Sequence, residues 1–259
     1  RPELVEKALA SRAHAVIVDL EDAVAPADKT SARAGLADLL GARLERTVCL
    51  RVNGLATPWG HDDIVAASSL AAVDSLLVPK VGCGADVAAV LGVLEDAGSA
   101  LGLRCLIESA RGVEGAFEIA AGARVRGISL GEADLRSELR CEDAGLDHAR
   151  SRIVLAAAAC GLARPSQSVY PRLRDPEGLA RSCAHGRALG FLGRSAIHPE
   201  QLDEIERAYL PTAAELDAAR ELLAGAEGAR VQADGAFVDA AFVGAALETV
   251  ALAEGYGLR

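Results

Sequence analysis

The chain has 259 residues, 51% of them apolar, and a formal net charge of −10. That length suits a single α/β barrel or two small domains. The acidic balance argues against nucleic acid as the main partner, because phosphate backbones need a basic surface. No apolar run reaches the ~18 residues that suggest a membrane span, and no signal peptide is recognisable. The six cysteines are widely spaced with no C-x-x-C pair, so we expect reduced thiols in a cytoplasmic protein rather than a disulfide framework or zinc site.

In chain order, Arg1–Leu9 reads as a first helix, and Ala15–Asp22 (AVIVDLED) as a buried strand that stops in charge. The same form recurs in Val48–Asn53 (VCLRVN), Leu76–Lys80 (LLVPK), Cys105–Glu108 (CLIE) and Ile128–Asp134 (ISLGEAD). A parallel strand covered by helices on its faces reads as a continuous apolar run. Weaker strand signals follow at 166–170 (SQSVY) and 194–198 (RSAIH). Helix-like stretches lie between them: Thr30–Leu40, His61–Ala71, Ala85–Ala97, Gly112–Ala121, His148–Cys160 and Pro176–Leu189. Asp175-Pro176 marks the start of the last of these and Gly190 its end.

This alternation predicts repeated βα units and a (β/α)8 barrel over residues 1–200, with the first strand expected upstream of Arg1. Residues 201–259 read as a helical segment for a lid or an oligomer contact, with helices at Glu200–Tyr209, Ala213–Leu223 and Ala240–Ala253. In such barrels the C-terminal ends of the strands meet on one face, where active sites are built.

Glu108 and Asp134 end consecutive strands. Two carboxylates with no His or Cys cluster beside them suit a hard cation such as Mg²⁺. They read equally as helix N-caps or ion-pair partners. Asp19, Glu21 and Asp22 crowd three carboxylates onto one strand end, either to support metal-bound water or a basic group, or to cap the next helix. Arg51 either grips a substrate carboxylate or oxyanion, or serves as partner to that acidic cluster. Lys80 stands where a Schiff-base aldolase places its lysine. His198 is a candidate acid or base, whereas His14, His61, His148 and His185 lack metal-ligand spacing and read as surface or packing residues. No Walker loop, nucleophile elbow or G-x-G-x-x-G helix start is present.

The blocks RPELVEKAL, VIVDLEDAV, RVNG, LLVPKV, LIESARG, GEADL, DPEGL and AIHPEQL, in that order, resemble the citrate lyase β-subunit-like (CitE-like) family within the HpcH/HpaI aldolase group. The resemblance spans nearly the whole chain. It implies a TIM barrel that binds Mg²⁺ and makes or breaks carbon–carbon bonds next to acyl thioesters. It also implies Glu108 and Asp134 as metal ligands, Arg51 as the substrate arginine, and Glu21 and Asp22 as the acidic pair beneath the metal site. Arg1 and Lys7 would face the phosphates of the thioester carrier. Asp239 would be an acid–base aspartate reaching a neighbouring subunit's site in a homotrimer. The substrate would be an acyl-CoA or acyl-carrier-protein thioester of citryl, citramalyl or malyl type, cleaved to an acetyl thioester and a 2-oxo acid.

Thioesterase or synthase activity on the same scaffold, aldol cleavage of free 2-oxo acids, and a subunit active only within a larger complex are the other readings. Two departures bear on substrate choice. Gln167 and Arg172 stand where the family often has Asp, and Ala133 separates Glu132 from Asp134.

Overall fold

The computed structural model describes residues 1–224, 230–231, 237–238 and 242–258. Helix and strand alternate from the start. α1 (Pro2–Leu9) leads into β1 (Ala15–Asp19), then α2 (Lys29–Ala34), α3 (Leu36–Leu40) and β2 (Thr47–Arg51). α4 (Gly60–Ala67), β3 (Val73–Val78), α5 (Gly84–Asp96) and β4 (Gly102–Ile107) follow, then α6 (Ala110–Glu114), α7 (Ala116–Ala120) and β5 (Val125–Leu130). α8 (Glu132–Leu139), α9 (Asp147–Ala159), α10 (Pro176–Leu189) and α11 (Leu202–Tyr209) come next. Beyond them lie α12 (Ala213–Ala224), β6 (Arg230–Val231), β7 (Phe237–Val238) and α13 (Val243–Gly255).

The chain divides into two compact units, Arg1–Ile205 and Glu206–Arg259. In the first, β1 to β5 form one sheet in strictly sequential order, with every neighbouring pair parallel. That order, with a helical crossover between each pair, is the winding of a TIM barrel. Among the described residues the sixth and seventh expected strands are reduced to one parallel bridge, Gln167 with Arg194. In the second unit α12 packs on α13, and β6 pairs antiparallel with β7.

The core lies between sheet and helices. Val16, Val18, Leu50, Leu76, Leu103, Ile107 and Leu130 are buried from the sheet, and Ile64, Leu94, Ile119 and Ile153 from the helices. Each such side chain contributes about 1.5–3 kcal/mol by leaving water.

Helix starts follow local chemistry. Ser109 Oγ accepts from Gly112 N at 3.1 Å to open α6, and Asp175 Oδ1 accepts from Gly178 N at 2.9 Å to open α10, where Pro176 occupies the first turn. Two expected helices are broken by glycine, at Gly35 between α2 and α3 and at Gly115 between α6 and α7. The ladder also runs one residue past several strands: Leu20 N donates to Arg51 O at 2.9 Å and Gly131 N to Ile107 O at 2.8 Å. The starts of the site loops are therefore fixed by the sheet itself.

Candidate active site

Asp19 and Arg51 stand opposite each other in the β1–β2 register, so both side chains leave the same face at the same level. Arg51 Nε donates to Asp19 Oδ1 at 2.7 Å and Nη2 to Oδ2 at 2.6 Å, a bidentate fork. Arg51 Nη1 reaches Asp22 Oδ2 at 3.3 Å and lies 3.0 Å from Glu21 Oε2. The latter is an ion pair without hydrogen-bond alignment, so that buried oxygen has no hydrogen bond. Asp19 also accepts from Glu21 N (2.8 Å) and Ala23 N (3.1 Å), and the chain turns around this carboxylate. Burial alone would raise the Asp19 carboxyl; the hydrogen bonds and charge of Arg51 outweigh it and hold the carboxyl below its ordinary range. Burial likewise opposes the Arg51 charge, and the surrounding carboxylates overcome it.

Lys80 ties this cluster to the next strand. Its ammonium pairs with Glu21 Oε1, and its backbone N–H donates to Glu108 Oε1 at 2.7 Å. The Lys80 backbone is left-handed, with φ 56°. Burial works to lower its ammonium pKa, but Glu21, Glu108 and Asp22 prevail and raise it. A Schiff-base lysine needs the opposite shift; here the Lys80 ammonium is paired with Glu21.

Glu108 is buried, and its carboxyl is pushed up to about 8, by burial first and then by the hydrogen bond and charge of Asp134, against the one N–H from Lys80. A buried carboxyl facing a second, solvent-exposed one leaves a local deficit of positive charge. Glu21, also buried, is raised by burial in spite of Lys80 and Arg51. Gly131 makes the close approach possible: a Cβ there would lie 2.6 Å from Glu108 Cβ and Oε2.

This donor set fits Mg²⁺. It is all oxygen, it is anionic, and it is a pair, since among the described residues no group of three or more His, Cys, Asp or Glu is placed to enclose a metal. Mg²⁺ is commonly held by one or two carboxylates, with water and substrate filling the other positions.

A layer of polar groups fixes the rim from behind. Lys29, buried, donates to the carbonyls of Leu20 (2.9 Å) and Glu21 (2.8 Å) and lies 5.3 Å from the Trp59 ring centre. Asn53 Nδ2 donates to Leu20 O (3.0 Å) and Asp63 Oδ2 (2.6 Å), and Arg33 Nη1 donates to Asp63 Oδ1 (3.0 Å). Lys29, Asn53 and Asp63 were not apparent as site residues in the sequence; a Lys or Asp on a helix reads as solvent-facing, and only the strand-end Asn53-Gly54 step offered a signal. Glu132 is buried and paired with Arg150, whereas Asp134 is the carboxyl that faces Glu108.

Several candidates lie elsewhere. His198 caps the turn Pro199–Gln201, its Nδ1 accepting from Glu200 N at 3.3 Å. Gln167 is buried where a side chain at Gly186 of α10 would overlap it, so it sits among helix contacts, while Arg172 is exposed. Arg1 caps α1 and Lys7 lies in its last turn, both exposed. Asp239 falls outside the described residues.

Carboxylates and one fixed arginine at the C-terminal ends of a sequentially wound parallel sheet define an α/β-barrel enzyme whose chemistry is done at its strand ends. The chain belongs to the HpcH/HpaI aldolase/citrate lyase family, whose pattern matches residues 1–199. It is 37% identical over 266 residues to a (3S)-malyl-CoA thioesterase of Cereibacter sphaeroides, covering 96% of this chain and 90% of that one. It is 32% identical over 270 residues to an L-malyl-CoA/β-methylmalyl-CoA lyase of the same species, covering 92% and 85%. Among solved structures, CitE from Mycobacterium tuberculosis in complex with magnesium, acetoacetate and coenzyme A matches with a TM-score of 0.83 and 32% identity, over 98% of this chain and 94% of that one.

Proposed function

We propose that this protein is a Mg²⁺-dependent carbon–carbon lyase that cleaves a 3-hydroxyacyl-CoA thioester of malyl type into an acyl-CoA and a 2-oxo acid. The observation that carries the reading is the pairing of buried Glu108 with the exposed carboxyl of Asp134 at adjacent strand ends, beside an arginine already locked by Asp19. Support comes from the malyl-CoA lyase relative and from the magnesium and coenzyme A of the CitE complex.

Bound Mg²⁺ would supply Lewis-acid polarisation of the 2-oxo acid, held by Glu108 and Asp134. The residues of the chain do the rest. Asp19 fixes the Arg51 guanidinium in one plane, so Arg51 needs no rearrangement to meet a developing oxyanion, a contribution of about 3–4 kcal/mol per donor in other enzymes. Its five N–H groups are only partly used by Asp19 and Asp22, which leaves donors for substrate. Lys80 and Arg51 together balance Glu21, keeping the floor of the site from adding a further uncompensated negative charge. Asp239 is assigned the proton at the carbon next to the thioester carbonyl, from a neighbouring subunit of a cytoplasmic homotrimer; light scattering tests the trimer.

Mass spectrometry after incubation with Mg²⁺ and malyl-, β-methylmalyl-, citramalyl- and citryl-CoA tests the activity. Acyl-CoA plus a 2-oxo acid is the expected outcome. Free CoA with intact hydroxy acid would establish the thioesterase reading instead, which the 37% identical relative favours. No turnover of any CoA ester would refute both as activities of the isolated chain and favour a carrier-protein substrate.

A further inference from the structure

α8 is a weak helix to entrust with a cation ligand. It has eight residues, and its buried side chains are Glu132 and Leu135 alone. Asp134 lies on its first turn, two residues after Glu132. Apolar packing through one leucine supplies little to fix its position. Its N-cap residue Gly131 is tied to the sheet through Ile107 O at 2.8 Å, and the first-turn side chain is held by an ion pair: Arg150 of α9 donates from Nε to Glu132 Oε1 at 3.1 Å and from Nη2 to Glu132 Oε2 at 2.6 Å. The same guanidinium binds Asp143 Oδ1 (2.8 Å) and Oδ2 (3.2 Å), the Asp143 carbonyl (3.3 Å) and Asp147 Oδ1 (2.8 Å). Arg150 is fully buried and has donors committed to every side. His185 Nε2, 2.9 Å from Asp147 Oδ1, braces the outer edge of the cluster from α10.

We propose that Arg150 is a positioning residue for the cation site, acting through Glu132 to fix the first turn of α8 so that Asp134 faces Glu108. This rests on the reading that Glu108 and Asp134 hold the metal. Partners that orient metal ligands typically change affinity 10–100-fold when altered. A saturated, planar guanidinium also transmits position more rigidly than a lysine could.

The test is an electron paramagnetic resonance titration of the full chain with Mn²⁺ alone, without substrate, alongside thermal unfolding. Glu108→Ala should abolish Mn²⁺ binding. Glu132→Gln, nearly isosteric and still able to accept from Arg150, should raise the Mn²⁺ Kd about 10-fold, and Arg150→Lys about 10–100-fold. Asp147→Asn, which loosens Arg150 only from its own helix, should leave Kd within about twofold even where it lowers Tm. The double variant Glu132→Gln/Arg150→Lys should bind no more weakly than the weaker single, because both act through one contact.

Wild-type affinity in folded Glu132→Gln overturns the proposal, as do independent, additive losses in the double variant. A Kd that tracks Tm across all four variants, Asp147→Asn included, likewise overturns it, since that is the signature of general destabilisation. Should Arg150→Lys fail to fold, Glu132→Gln decides alone. A wild-type protein that binds no Mn²⁺, or a Glu108→Ala variant that binds it as tightly as wild type, refutes the cation reading itself and the proposal with it.

Discussion

Arg51 and Arg150 each face three carboxylates, yet they do different work. Arg51 stands at the mouth with 18% of its side chain exposed, forked onto Asp19 and in looser contact with Glu21 and Asp22. Arg150 lies behind the sheet with 2% exposed and its donors taken by Glu132, Asp143 and Asp147. The same residue type in the same kind of company keeps donors available or becomes a fixture according to unspent hydrogen-bonding capacity and access to solvent. Buried arginine networks are weak evidence for stability as such. Their value here lies in where they put other groups.

The sharpest way to break this contrast is to remove the pair that both arginines serve. Glu108→Ala should bring turnover to background and abolish Mg²⁺ dependence together; a variant that kept its activity would dissolve the site as described. Next in size, Arg51→Lys keeps the charge but cannot form the fork on Asp19, and kcat should fall about 10²–10³-fold with a much smaller change in Tm. A comparable loss of Tm would place Arg51 in the same class as Arg150. Conversely, Arg150→Met should cost about 3–5 kcal/mol in urea unfolding, because Glu132 is left buried and unpaired. A cost below 1 kcal/mol would mean that Glu132 finds another partner.

The smallest effect concerns pH. Asp19 has a depressed carboxyl in the folded protein. Its contribution is therefore fully present above the unfolded value of about 3.9 and is lost as pH falls through the lower folded value. Asp19→Asn should flatten the acid limb of the stability curve and leave the neutral plateau with little pH slope. An unchanged acid limb would show that Arg51 does not hold this proton equilibrium.

The chemistry at the strand ends was legible because each strand is an uninterrupted apolar run that halts at Asp19, Arg51, Lys80 or Glu108, and alternation along a strand fixes the face each takes. The resemblance of ordered blocks added roles that spacing alone left open. The expected strands at 166–170 and 194–198 are visible only as the Gln167–Arg194 bridge, where short polar runs supply few apolar contacts. α8 was not anticipated, since GEADLRSEL has almost no helical apolar period and buries only Glu132 and Leu135. Arg150 sits in an Ala-rich helix, where a single arginine reads as a solvated residue. Nothing local reveals that three acidic partners, 3, 7 and 18 residues away, converge on it. Side chains that orient others leave little trace in periodicity, because their partners are set by tertiary packing.

Lys80 carries two separable instructions on one α-carbon. Its amide addresses Glu108 and its ammonium addresses Glu21, from a left-handed backbone that glycine adopts at no steric cost. Lys80→Gly would therefore erase the charge while sparing the amide, whereas a β-branched replacement would keep a side chain and disturb the peptide. The position is a natural cut point for chemical dissection of the rim.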